Sequence, residues 1–406
     1  MSEEAVQNLV IPDHVPTKLV RDFDPTYLPG MDKCPFSAVS KLHDDARVVW
    51  TGNSMRFGGS WIITHAEDIR YVLSHPDLFS ATGQTGFSRL LGEDWPLLPL
   101  EANPPEHTDY RKLLNPLLAP PAVAKLEPKI RQRASDLIDA FRNDGQCEFM
   151  SVFGRPYPVT IILELLGLPL DKMDQFLKWE FELLHSKDPA TMAGAAKAIK
   201  EYLESLRTER QANPSDDIVS QVVNAEIDGR RLNDDETLGI LYLFFVGGLD
   251  TVASSLGFIF RHLAENPDHQ AFLRENPDRI PGAIEEYLRR FSVVTVYRQC
   301  REDTSIGGIA MKKGDWITIV TALGSLDAAE FKCPMDVDFG RKNIRHFGLS
   351  TGVHFCLGNH LARRELKIAL EEWLARVPSW RLKDGELLDV HGGPVFGVEH
   401  MVLGWR

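Results

Sequence analysis

The sequence is poor in cysteine and has no close pair of them: Cys34, Cys147, Cys300, Cys333 and Cys356 are scattered over 406 residues without a CxxC. An odd count at such spacings argues against a disulfide framework and leaves at least one thiol free to act as a thiolate. The other four read as small, semi-buried side chains. Positive charge is also scarce, with 45 Lys plus Arg against 58 Asp plus Glu and a formal net charge of -13. That balance disfavours a nucleic-acid or anionic-membrane partner, while leaving room for a local basic patch. Long apolar runs are missing too. The longest, Leu238 to Leu249, stops at Asp250, short of the ~20 residues that span a bilayer. The opening MSEEAVQNLVIPDHVP has early glutamates and prolines and no apolar stretch of the signal-peptide kind. A cytoplasmic protein without a membrane segment is expected. No glycine- or serine-rich linker divides the chain, and no repeat of solenoid length occurs.

What is present is largely helical patterning. AVAKLEPKIRQRASDLIDAFR, MAGAAKAIKEYLESLRTERQ and LARRELKIALEEWLARV place apolar residues three and four apart, with charges between them. ENPD occurs at 265–268 and 275–278, where proline marks the stop of one helix and the restart of the next. Alternating segments, ARVVWTGN with GGSWIITH, then VVTVYRQC, GDWITIVTAL and GVEHMVLGW, supply short strands. The pattern predicts one mainly α domain over residues 1–406 with a small β-rich region.

Three stretches carry candidate chemistry. In RHFGLSTGVHFCLGNHLARRELKIALEEWL, glycine-punctuated irregular sequence passes into an amphipathic helix just after Cys356. A thiol beside a helix N-terminus meets free N–H groups and the positive end of the dipole, which favour the thiolate. Taken alone, this reads better as a buried loop cysteine; a nucleophile paired with His354 or His360 is the weaker alternative, since nothing nearby resembles a hydrolase elbow. In GAIEEYLRRF, Glu286 and Arg289 are three apart and share a helix face, as an architectural ion pair would. In NDDETLGILYLFFVGGLDTVASSLGFIFRHLAENP, Asn233 and Asp234 suit a helix start and Asn266-Pro267 its end. Gly247 and Gly248 each cost that helix ~1 kcal/mol relative to alanine, which suggests close packing or a local widening. Asp250 and Thr251 then interrupt its apolar centre, as a buried ion pair and a back-bonded threonine would also do.

In combination and in chain order, these stretches resemble the cytochrome P450 family, nearest to its bacterial camphor hydroxylase group. Gly352-Val353-His354-Phe355-Cys356-Leu357-Gly358 resembles the haem-binding signature, although Leu349 and Ser350 stand where the family has Phe-Gly. The likeness runs over most of the chain through LEPKI, GGLDT, RIPGAIEEYLRRF, CPMDVDF and FCLGNHLARRE. It implies haem b between the long central helix and the cysteine-loop helix, with Cys356 as the iron's sulfur ligand. Glu286 and Arg289 would fix the core on the cysteine side together with a downstream arginine or histidine. Thr251 would hydrogen-bond bound oxygen, Asp250 would relay protons, and carbonyls near Gly247 and Gly248 would border the oxygen site. Haem propionates need cationic partners, and the family positions give Arg111, Arg298 and His354, with His107 as a fourth.

The resemblance further implies a monooxygenase that takes electrons from NADH through a flavoprotein reductase and a [2Fe-2S] ferredoxin. Arg111, Arg341, Lys342, Arg345 and Arg363 are the candidate docking patch. A direct user of peroxide, a haem-based sensor and a helical protein without haem are the alternatives, and the acid–threonine pair weighs against the first. The substrate is expected to be a small apolar molecule, terpenoid or norisoprenoid. In the camphor hydroxylase pattern a tyrosine holds the substrate carbonyl; here EDWPLLPLEANPP puts Trp95 at that place. Trp95, Leu97, Leu100, Leu243, Val246, Gly247, Val294, Phe87 and Phe396 are the expected cavity wall.

Overall fold

Helix start signals in the sequence set the frame. Asn233 accepts the Glu236 N–H while the Glu236 carboxylate accepts the Asn233 N–H, a reciprocal cap that opens the helix Asp234–Leu249. Pro120, Pro156 and Pro189 each sit in the first turn of their helices, Pro120–Phe141, Pro156–Leu166 and Pro189–Ala212, where a missing N–H costs nothing. The computed structural model describes residues 11–54 and 57–406. The turn between the first two long strands falls partly outside them.

The expected single central helix is two. Asp234–Leu249 and Thr251–Glu265 meet at Asp250, whose φ of -104° and ψ of -41° break the register. Thr251 Oγ1 donates to the Gly247 carbonyl at 3.2 Å in the gap. Together they span 32 residues, long and apolar enough to cross a membrane, which the count from Leu238 to Leu249 missed; 61% of the apolar window is nonetheless buried inside the protein. Gly248 is a contact glycine, since a Cβ there would lie 2.9 Å from Ile162. Both ENPD segments act as expected: Pro267–Glu275 follows the first, and a 3-10 turn at Pro277–Arg279 leads into Ile280–Arg290.

The strands gather at the edges of the helical body. A six-stranded sheet runs in the order Val20–Arg21, Val48–Ser54, Gly58–Ile63, Trp316–Val320, Thr295–Cys300, Phe79–Ser80. Ile317 pairs in parallel with Trp61 and Thr318 antiparallel with Tyr297. A second sheet joins Trp380–Leu382, Gly397–Trp405, Leu388–His391 and Gln146–Glu148. The helix Asn359–Arg376 packs along Pro120–Phe141, its Glu371 and Glu372 bridged by Arg131. Trp373, Trp380, Phe149, Phe153 and Phe260 form a buried aromatic knot behind it. Between the central helices and the start of Asn359–Arg376 the packing opens into a cavity of about 320 Å³.

Candidate functional site

The cavity floor is the cysteine loop. Gly352 takes a φ of +70° and lies so near the Leu73 carbonyl that a Cβ would approach it to 2.3 Å, so only glycine fits. Ser350 also stands in the left-handed region, at φ +60°. The Cys356 N–H donates to the Leu349 carbonyl at 2.9 Å, and Asn359 Nδ2 donates to the Cys356 carbonyl at 2.9 Å. The chain is thereby fixed with the sulfur at the cavity. Burial pushes this thiol up, against a Gly358 N–H bond and the Arg111 and Arg363 charges. A bound cation would supply the stabilisation that burial removes, so the position suits a metal-held thiolate. The Cys147 and Cys300 thiols are pushed up to about 12, mainly by burial, as inert core cysteines.

One side of the cavity holds four nitrogen-bearing side chains and, among the described residues, no carboxylate. Arg298 is 2% exposed; its Nη1 donates to Gln84 Oε1 at 3.1 Å and to the Tyr297 carbonyl at 2.7 Å. Arg111 Nη1 donates to the Phe355 carbonyl at 2.9 Å. Neither guanidinium meets a carboxylate among the described residues, and burial alone draws Arg298 down to about 10. The His107 and His354 rings lie 4.4 Å apart, and each buried Nε2 lacks a hydrogen-bond partner. Burial, then the neighbouring cations, hold them neutral, with pKa values of about 4 and about 2. Buried cations without a counter-charge cost several kcal/mol each. An anionic ligand with two carboxylates would satisfy them, and haem b has two propionates, a flat apolar ring and an iron for the sulfur. The residues present fit that group.

The opposite wall is the kinked central helix. Leu243, Phe244, Gly247, Gly248, Thr251 and Val252 face the cavity. Asp250 does not: its carboxylate turns outward, 3.3 Å from His185 Nε2, and accepts from Ser254 Oγ at 2.9 Å. Of the expected wall, Leu100, Leu243, Gly247 and Val294 line the cavity. Trp95, Leu97, Val246, Phe87 and Phe396 do not, and the expectation is corrected there. Trp95 Nε1 donates to Glu93 Oε2 at 2.5 Å, Glu93 is held by Lys200, and the indole packs 5.0 Å from the Tyr242 ring. Phe87 also lies against Tyr242, and Phe396 against Phe36. Val246 shares the other helix face with Asp250, four residues on. Leu97 is turned inward where its N–H donates to Glu101.

Glu286 and Arg289 are fully buried and paired through two bonds of 2.8 and 2.7 Å. The downstream partner is Arg341, 3.1 Å from Glu286. The basic patch is thinner than the sequence suggested. Arg341 is thus occupied, Arg363 pairs with Glu285 at 2.6 Å and Arg111 faces inward, so Lys342 and Arg345 are its exposed cations. Gln84 and Glu365 at the site escaped the sequence reading, and Ser350 was read there only as a departure from the family signature. Gln84 ties Arg298 to the Leu100 carbonyl. Ser350 and Glu365 line the cavity with a buried oxygen lacking a partner. Glu365 stands four residues after Leu361 and four before Ala369, on the buried stripe of an amphipathic helix, which was its available signal; Gln84 had none.

The cytochrome P450 family model matches residues 159–383. A probable cytochrome P450, 127A1, of Sinorhizobium fredii is 39% identical over 412 residues, covering 100% of this chain and 99% of its own. Linalool 8-monooxygenase of Pseudomonas putida is 30% identical, covering 86% and 90%. The crystal structure of cytochrome P450 CYP101C1 superposes with a TM-score of 0.87 at 32% identity, covering 98% of this chain and 100% of that one.

Proposed function

The chain belongs to the cytochrome P450 family, close to its camphor hydroxylase-type members, and is a monooxygenase using haem b held by a cysteine thiolate; on that premise we propose that Cys356 is the thiolate ligand and that Arg111, Arg298, His354 and His107 hold the propionates. The observation that carries this reading is the buried Arg298 and half-buried Arg111 guanidiniums, neither meeting a carboxylate among the described residues, sharing one cavity with the Cys356 sulfur. When bound, the haem supplies activation of dioxygen, so that one oxygen atom enters the substrate and the other leaves as water with two electrons and two protons. Thr251 places its hydroxyl at the cavity, held by the Gly247 carbonyl. Its one O–H serves the oxygen site by rotating off the Gly247 carbonyl, and Asp250 one residue away is its proton source.

The substrate is a small apolar molecule of terpenoid or norisoprenoid type. Leu98, Pro99, Leu100, Leu243, Phe244 and Val294 offer it hydrocarbon, and the nearby Thr321 hydroxyl is already donated to the Val294 carbonyl. With Trp95 turned away, this segment offers no side-chain donor to a ketone. Losing such a bond costs about 0.5–1.5 kcal/mol, enough to loosen regioselectivity. Camphor is therefore expected to bind weakly and give a partial spin shift, and a larger ionone-type ketone a fuller one; spin-state titration with both ligands checks this. Electrons come from NADH through a flavoprotein reductase and a [2Fe-2S] ferredoxin, in the cytoplasm, with Lys342 and Arg345 facing the ferredoxin.

The test of the ligand is the reduced, carbon-monoxide-bound spectrum. The wild-type protein is expected to show the thiolate-type Soret band and Cys356→Ser to lose it, while serine at Cys34, Cys147, Cys300 or Cys333 leaves it intact. A thiolate band surviving in Cys356→Ser would remove the assignment. Thr251→Ala is expected to consume NADH and oxygen still, but to release more hydrogen peroxide per product.

A further inference from the structure

Behind Asp250 lies a group of titratable side chains to which the site described above assigns no work. His185, at the end of the helix Met173–His185, has Nε2 3.3 Å from Asp250 Oδ2. Its ring meets that of His391, on the strand Leu388–His391, edge to face at 4.6 Å. His391 Nε2 lies 3.1 Å from Glu399 Oε1, and Glu399 Oε2 accepts from Arg155 at 2.5 Å. Glu180 faces the same space, with a carboxylate oxygen within 4.8 Å of His185 and Asp250.

The His391 contacts define its charge state. Nδ1 lies 2.6 Å from the Gly392 carbonyl, which only accepts, so Nδ1 carries hydrogen. Nε2 faces a carboxylate, which favours hydrogen there too, and the ring is an imidazolium. Its pKa is raised: burial lowers it, but the Glu399 and Gly392 bonds and the Asp250 and Glu399 charges outweigh that. Glu180 is driven the other way, well above the usual carboxylate range, by burial and the Asp250 and Glu399 charges. That direction agrees with its partnerless buried Oε1, and the Asp250 carboxylate has the His185 ring beside it. Space is reserved for the rings. A Cβ at Gly397 would lie 2.4 Å from His391 Nε2, and one at Gly393 3.3 Å from His185 Nδ1. Side-chain exposure is 15% at Asp250, 7% at His185, 21% at His391 and 31% at Glu399, so the far end of the series is the most open to water. The series therefore leads from water to the acid beside Thr251.

We infer that His391 and His185 form the proton path that recharges Asp250 during turnover, with Glu399 as its mouth. This rests on the monooxygenase reading and adds to it where the protons come from. The His391 imidazolium gives a proton to the His185 ring after a ring turn or across one water. His185 Nε2 passes one to the Asp250 carboxylate, which becomes the acid that serves Thr251. His391 then regains a proton from solvent past Glu399, and no electrons move. Because the path starts from a protonated His391, proton delivery is complete below its raised pKa and fades as pH rises through it.

The test uses the haem-loaded protein with a saturating ferredoxin system. His391→Gln is expected to lower turnover at neutral pH by about a hundredfold, the low end for a lost proton-transfer group, and to abolish the alkaline decline. Glu399→Gln, which removes the carboxylate that sustains the imidazolium, is expected to shift that decline to lower pH. The same shift should appear in the titration of the His391 ring by NMR of histidine-labelled, carbon-monoxide-bound ferrous protein. Side chains that served packing alone would move neither pH dependence. Retention of the wild-type rate and pH profile in His391→Gln, or of the wild-type profile in Glu399→Gln, would overturn the path. Should His391→Gln fail to load haem, Glu399→Gln decides alone. The two readings fail separately: a wild-type protein without the thiolate band ends the monooxygenase assignment, whereas a normal band with unchanged pH profiles ends the path.

Discussion

Two parts of this protein bury arginine almost completely, and they treat the charge in opposite ways. Around Arg289 everything is supplied by the chain: the Glu286 carboxylate makes two bonds, and the carbonyls of Ser325, Pro334 and Asp336 take the remaining donors at 2.7 to 3.0 Å. Around Arg298 the chain supplies one amide oxygen and one carbonyl, and no carboxylate among the described residues. The first cluster is complete without a ligand and holds Ile280–Arg290 to the loop at 334–341. The second is incomplete by one anion. A buried cation left unmatched is costly, and where it shares a cavity with the Cys356 sulfur its incompleteness marks the binding site.

Removing an anion from the complete cluster should have the largest effect. Glu286→Gln leaves Arg289 buried without its carboxylate, and breaking such a pair costs about 3–5 kcal/mol. That is a large share of the ~5–15 kcal/mol typical of a domain. A collapse in soluble yield and a thermal midpoint many degrees lower are expected.

At the incomplete cluster the same kind of change should act on the ligand and not on the fold. Arg298→Leu removes an unmatched buried charge, so the haem-free protein is expected to be no less stable than wild type. Its haem should be held about 10- to 100-fold less tightly, the scale of one or two charged hydrogen bonds of about 1.5–3 kcal/mol. Haem transfer to apomyoglobin and thermal melts of the haem-free form measure the two halves. Lost stability with unchanged haem retention would reverse the comparison.

Acid sharpens it further. His107 and His354 are neutral when folded, at about 4 and about 2 against 6.5 for a free imidazole. The unfolded chain therefore takes up protons first. Stability contributed by these groups is complete above pH 6.5 and falls as pH drops below it, by up to about 1.4 kcal/mol per pH unit for each. The haem-free protein is expected to lose stability between pH 6.5 and 4 more steeply than the double variant His107→Phe, His354→Phe, by urea titration across that range.

The smallest effect concerns the departure from the family signature. Ser350 holds φ at +60°, a conformation costing a non-glycine residue about 1–2 kcal/mol. Ser350→Gly is expected to stabilise by no more than about 1 kcal/mol once glycine's greater unfolded freedom is counted, read as a small rise in thermal midpoint with the Soret band in place.

How much of this was legible differs by region. Cys356 and the Glu286–Arg289 spacing stood out because helix periodicity and glycine punctuation act over a few residues. Arg111, Arg298 and His354 were reachable only through family likeness, since nothing local distinguishes an arginine that will be left unpaired. The substrate wall was the weakest part. Trp95 sits in a proline-rich segment with no periodicity, and its direction is set by Glu93 and Lys200, the latter more than a hundred residues away. Asp250 was found, but not that it faces outward, because the break between Leu249 and Thr251 turns two adjacent side chains to different sides.

By itself the sequence determined the helical frame, its caps and stops, the thiol at a helix start and the acid–threonine pair, all of which follow from local sterics and hydrogen bonding. Tertiary structure decided which charges are matched. Arg289 finds its anion one turn away on its own helix, and periodicity shows that. Arg298 finds none, and His185 meets His391 from 206 positions away. Solvation and Coulomb energies depend on distances through space, which the order of residues along the chain does not contain.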